Sequence, residues 1–170
     1  MNEFGKPVED VKLVLATYGH EDLIEGANMF RKAKKVIHPE EDCKGLNQFD
    51  PELADLGTIK DLTIARVGYH SPGSVIFYYR QSNVIFTGDF LCFFGDPLSK
   101  EALVSKGDEL RQAWVEYLQG GGVADSELPD FLDGLKIIHG FDAGVRCTGH
   151  GGVLNGAINE FIEVLLNVEK

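Results

Sequence analysis

Gly68-Tyr69-His70-Ser71-Pro72-Gly73-Ser74 runs into Val75-Ile76-Phe77-Tyr78-Tyr79, and Val84-Ile85-Phe86 runs out into Thr87-Gly88-Asp89. Residues 74–79 and 84–87 are rich in β-branched and aromatic side chains, as strands are, and Gln81-Ser82-Asn83 between them suits a hairpin connection. A histidine therefore sits in the turn that opens one strand, and an acid follows the glycine that ends the next. Two other segments repeat the arrangement. Residues 11–16 read as a buried strand that ends in Thr17-Tyr18-Gly19-His20-Glu21-Asp22, and Val145-Arg146-Cys147 ends in Thr148-Gly149-His150-Gly151-Gly152. Four strand ends thus each deliver an imidazole or a carboxylate into a loop. In α/β proteins that edge of the sheet is where sites assemble, and this ligand set suits zinc, iron or manganese.

Outward from these segments, strand and helix patterns alternate, which favours an α/β arrangement. Apolar residues at Ile24, Ala27, Met29, Phe30 and Ala33 predict a helix over 24–35, and Val36-Ile37 starts a strand that Pro39 stops. The polar run 43–60, broken by Pro51 and Gly57, reads as a loop, and residues 62–67 as a strand. Helices are predicted from 100–105 on to about 118, over 128–135 and over 157–168, with Gln119-Gly120-Gly121-Gly122 as a stop. Trp114, Leu110, Val115 and Leu118 form a helical core stripe. There is no repeat and no second domain, so residues 1–170 read as one domain.

Composition narrows the function. The 170 residues carry 27 acidic against 16 basic side chains, a net charge of −11, which argues against a nucleic-acid partner. The one basic cluster, Arg31-Lys32-Ala33-Lys34-Lys35, is expected to complement a helix C-terminus. No apolar run approaches the roughly 20 residues of a membrane span, and no leader is visible at the start, so a cytoplasmic protein without a membrane partner is expected. Three separated cysteines, Cys43, Cys92 and Cys147, fit reduced, buried thiols. His38 and His139 read as loop residues, although His139 could lie near the pocket. Phe90-Leu91-Cys92-Phe93-Phe94-Gly95, after Asp89, reads either as core covering the site or as a wall for an apolar substrate.

Taken in order, these segments resemble the metallo-β-lactamase superfamily, which includes glyoxalase II and lactonases. The resemblance runs from about residue 11 to the C-terminus. It rests on His20 and Asp22 in the first motif, His70 before Ser71-Pro72-Gly73-Ser74 in the second, Asp89 in Thr87-Gly88-Asp89, and His150 in Gly149-His150-Gly151. It implies an αββα sandwich and a metal site drawn from His20, Asp22, His70, Asp89 and His150. Catalytic roles would fall to Asp22, which would orient a metal-activated hydroxide, and to Asp89, which would bridge two metals.

The chain departs from the family at two ligand positions: Tyr18 stands where the first histidine of the motif is expected, and Leu23 where the last is. Each metal position loses one imidazole, and zinc usually takes three or four protein ligands. One ion of zinc or iron at most, or none, is therefore expected. The implied function is metal-dependent hydrolysis of a small-molecule ester, thioester or lactone at a reduced site. The alternative is a catalytically silent binding or assembly protein. The family also carries several strands before its first motif, whereas here that strand begins about ten residues in. A fold shortened in its N-terminal sheet would leave an open strand edge, and a homo-oligomer, a dimer, is expected to cover it.

Overall fold

The computed structural model describes residues 5–41, 48–92 and 103–168. Cys43, the end of the aromatic run at 93–95 and the start of the helix expected from residue 100 lie outside them. Strands β1 (Leu13–Leu15), β2 (Lys34–Ile37) and β3 (Asp50–Pro51) form a three-stranded sheet in the order β1-β2-β3, parallel throughout. The second sheet comprises β4 (Thr58–Ile59), β5 (Leu62–Arg66), β6 (Val75–Tyr79), β7 (Val84–Phe86), β8 (Val104–Ser105), β9 (Val145–Cys147) and β10 (Val153–Asn155). Its order is β4-β5-β6-β7-β9-β10-β8, antiparallel except for the β7–β9 and β8–β10 pairs.

Side-chain alternation along the strands builds the layers. Leu13, Leu15 and Val36 of the small sheet meet Ile64, Val75 and Phe77 of the large one in a shared core. Their neighbours Val14, Ala16 and Ile37 face the other way, onto Ile24 and Ala27. Those two residues belong to the short helix α1 (Glu21–Ile24) and the 3-10 turn Glu25–Met29 that follows it. On the far face of the large sheet, Ala65, Ile76 and Ile85 pack against α2 (Asp108–Gln119), α3 (Leu128–His139) and α4 (Ile158–Leu166). Each of these helices carries an apolar stripe at helical spacing, such as Ile158, Phe161, Ile162 and Leu165 on α4. The result is the αββα order of layers.

Several boundaries differ from expectation. The helix expected over 24–35 does not form: α1 ends at Ile24, a 3-10 turn ends at Met29, and Lys34 and Lys35 of β2 pair with Leu13 and Val14 of β1. The basic cluster therefore caps no helix, and Lys34 pairs instead with Glu52. The loop over 43–60 contains β3 and β4. Val104 and Ser105 form β8 rather than helix, and β10 is a strand the sequence did not reveal. Cys92 and Cys147 are free thiols, and among the described residues no helix is long and apolar enough to cross a membrane.

Candidate metal centre

Strand register brings the distant motifs together. Phe86 of β7 pairs in parallel with Cys147 of β9, so Asp89 and His150 lie the same number of residues beyond a paired position. The ladder continues past the strands: Thr87 N–H donates to Cys147 O (2.9 Å) and Gly149 N–H to Gly88 O (2.7 Å). Val75 N–H donates to Thr17 O (2.8 Å), which joins the end of β1, and so the Tyr18–Asp22 loop, to the start of β6. Gly88 (φ +54°) makes the approach possible, since a Cβ there would lie 2.5 Å from Thr17 Oγ1.

All five site residues named from the sequence meet at this edge. His150 Nε2 lies 3.2 Å from Asp22 Oδ2 and 3.4 Å from Asp89 Oδ2. Among the described residues, Asp22, Asp89 and His150 are the group whose ligand atoms all fall within 4.8 Å of one another. His70 Nε2 is 4.0 Å from Asp89 Oδ2 but only 3.2 Å from His20 Nδ1, so the two remaining imidazoles engage each other. Burial lowers the His70 pKa from its ordinary value, partly offset by the Asp89 charge, while His20 lowers it further.

The two substituted positions have been built over. Tyr18 is 1% exposed, and its ring packs edge-on against His20 (5.0 Å) and His70 (4.6 Å). Burial, then the Asp89 carboxylate, pushes its phenol well above the ordinary value, so without a metal it stays protonated. Leu23 is half-buried against Ile24 and Ala27 in the core under α1. What remains fits one ion rather than two. Asp89 Oδ1 is buried, has no hydrogen-bond partner, and lies where a side chain at residue 149 would be, which explains the glycine. An acid only 9% exposed, with an orphaned oxygen beside a second acid and an imidazole, is a donor set suited to a divalent cation.

Three residues that the sequence did not mark as part of the site hold this edge in place. Arg146, fully buried and drawn down to about 9 by desolvation, donates to Leu91 O (2.6 Å). Trp114 Nε1–H donates to Cys92 O (2.9 Å). Together they pin the chain just after Asp89, and the burial of Phe90, Leu91 and Cys92 shows that part of the aromatic run to be core. Glu41 binds the His20 and His70 loops together. His38 is buried and its Nδ1 accepts from Glu40 N–H, whereas His139 pairs with Glu163 on the helical face; neither joins the cluster.

No family model matches the chain, and no curated protein matches it in sequence. Solved structures do. The apo state of the chemotaxis sensor ODP from T. denticola aligns over 99% of this chain and 74% of its own, at TM-score 0.71 and 16% identity. A flavo di-iron protein variant from Thermotoga maritima aligns over 97% of this chain and 44% of its own, at TM-score 0.75 and 8% identity. A metallo-beta-lactamase family protein from Thermus thermophilus aligns over 97% of this chain and 62% of its own, at TM-score 0.64 and 18% identity. Two facing sheets, outer helices and a cluster of acids and imidazoles at one edge agree with these alignments: the chain has the metallo-β-lactamase fold.

Proposed function

We propose that the protein is a metal-dependent hydrolase of a small ester, thioester or lactone, with a single ion held by Asp22, Asp89 and His150. The observation that supports it is the mutual approach of those three donors within 4.8 Å. An ion held there would supply hydroxide at neutral pH and polarise a carbonyl. Asp89, almost buried, fixes negative charge at the floor of the site. Asp22 and His150 are about half exposed, 56% and 49%, so a substrate carbonyl can reach them from solvent. The Asp22 carboxylate would accept a proton from the attacking water and orient it. The His20–His70 pair, 3.2 Å apart, can hold or pass a proton alongside.

Protein supplied with zinc or iron is expected to hydrolyse chromogenic esters, thioesters or lactones, and to lose turnover with chelator or in His150→Ala. No turnover across that panel, from protein that holds one ion, contradicts the hydrolase. It supports the second reading, a silent binding module, which the buried Tyr18 and the half-buried Leu23 at two ligand positions favour. One structural neighbour is a chemotaxis sensor.

The same reading includes a homodimer. β1 stands at the edge of its sheet, paired only with β2 among the described residues. Beside it lies an apolar cavity of about 590 Å³, lined by Val14, Leu15, Phe30, Phe77 and Phe86. Met29 and Phe86, at 63% and 40% exposure, are large apolar side chains left in solvent there. An open edge flanked by apolar surface favours pairing with a second copy. Light scattering at micromolar concentration is expected to give twice the chain mass; a monomer contradicts the dimer.

A further inference from the structure

The half-buried Glu41 carboxylate ties together two loops that are distant in sequence. Gly19 N–H donates to its Oε2 (2.7 Å), while Gly73 N–H (2.9 Å) and the Ser71 hydroxyl (2.5 Å) donate to its Oε1. Gly19 immediately precedes His20, and Ser71 immediately follows His70. The backbone of Glu41 is also fixed, since its N–H donates to His38 O (3.1 Å) and a Cβ on Gly73 would lie 2.6 Å from its nitrogen. Ser71 is held in turn by Ser74, whose hydroxyl accepts from Ser71 N–H (2.8 Å). A charged acceptor that spans two loops fixes their separation better than neutral contacts would, because bonds to an ionised group are shorter and stronger.

We propose that Glu41 is a positioning residue of the metal centre, setting the spacing of the His20 and His70 loops and, through the first of them, the place of Asp22. His20 is the N-cap of α1 and Asp22 lies in its first turn, so the Gly19 anchor fixes where the carboxylate of Asp22 projects. Without the clamp, the His20–His70 contact and the approach of Asp22 to His150 lose a shared reference. The assignment rests on the single-ion reading above, and its test separates the two.

In metal-free protein, hydrogen exchange at the Gly19 and Gly73 amides is compared with exchange at Phe77 and Ile85 in the core. Cobalt(II) affinity is then measured by titration. Glu41→Gln retains the shape but presents an N–H₂ group where one of the two acceptor oxygens was. Glu41→Asp retains the charge but shortens the reach, and decides the matter should the glutamine variant not fold. Each is expected to raise exchange at Gly19 or Gly73 about tenfold or more, with the core amides unchanged. Each is also expected to weaken cobalt binding by about 10–100-fold, as for groups that orient metal ligands. Cobalt affinity within twofold of the parent, or exchange raised equally in the core, overturns the proposal. If the parent itself takes up no cobalt, the metal reading falls and takes the positioning of an ion with it; the exchange comparison still shows whether Glu41 joins the loops.

Discussion

Asp89→Asn is expected to reduce metal affinity by at least about 100-fold while leaving the metal-free protein as stable as its parent or more so. Asp89 is the most buried of the three donors, and its removal leaves two, fewer than a stable zinc or iron site uses. The loss should exceed the 10–100-fold typical of groups that only orient ligands. The stability half of the expectation follows from the orphaned oxygen. Asp89 Oδ1 is buried and accepts no hydrogen bond, so exchanging the carboxylate for a neutral amide of the same shape gives up no contact at that atom. Cobalt titration and thermal melting of both proteins in chelator check the two halves. A variant with parental affinity would remove Asp89 from the ligand set.

Phe131→Ala is expected to destabilise the protein by about 3–5 kcal/mol. Its ring is fully buried, stacks on Phe90 (5.5 Å) and Trp114 (5.9 Å), and meets Tyr69 edge-on (5.0 Å). Truncation leaves a cavity among three rings that cannot easily collapse into it. Against a total of about 5–15 kcal/mol, such a loss leaves a marginal fold. The site should feel it too, because Phe90 adjoins Asp89 and Tyr69 adjoins His70. The urea midpoint should fall with the slope unchanged; a shift worth less than about 1 kcal/mol would mean the aromatic layer is not tightly packed.

The parts of the fold legible in the sequence are those whose signal is local. The strands around residues 75–79 and 84–86 announce themselves by β-branched and aromatic content, and His70, Asp89 and His150 stand in glycine-bearing turns at strand ends. The expected gathering of five site residues rested on that pattern, and the structure brings them to one edge. What could not be read is what depends on distant partners. Phe30 and Ala33 continued a helical spacing, yet Lys34–Ile37 became strand because β1 was there to pair with it. Val104–Ser105 and Val153–Asn155 are too short to carry a period of their own, and each is defined by its neighbour. Arg146 in mid-strand suggests a solvent-facing position, but Leu91 O and the Phe161 ring receive it inside. Glu41 follows a proline at the end of a strand and looks like any solvated acid; its partners are 22 to 32 residues away.

With Tyr18 and Leu23 at two ligand positions, this edge is proposed to hold a single ion. Elemental analysis of protein purified without chelator tests it most directly, read beside the double variant Tyr18→His with Leu23→His. The parent is expected to carry about one zinc or iron per chain, and the variant more, because both imidazoles return. Two ions per parent chain, or background levels in both proteins, would contradict it.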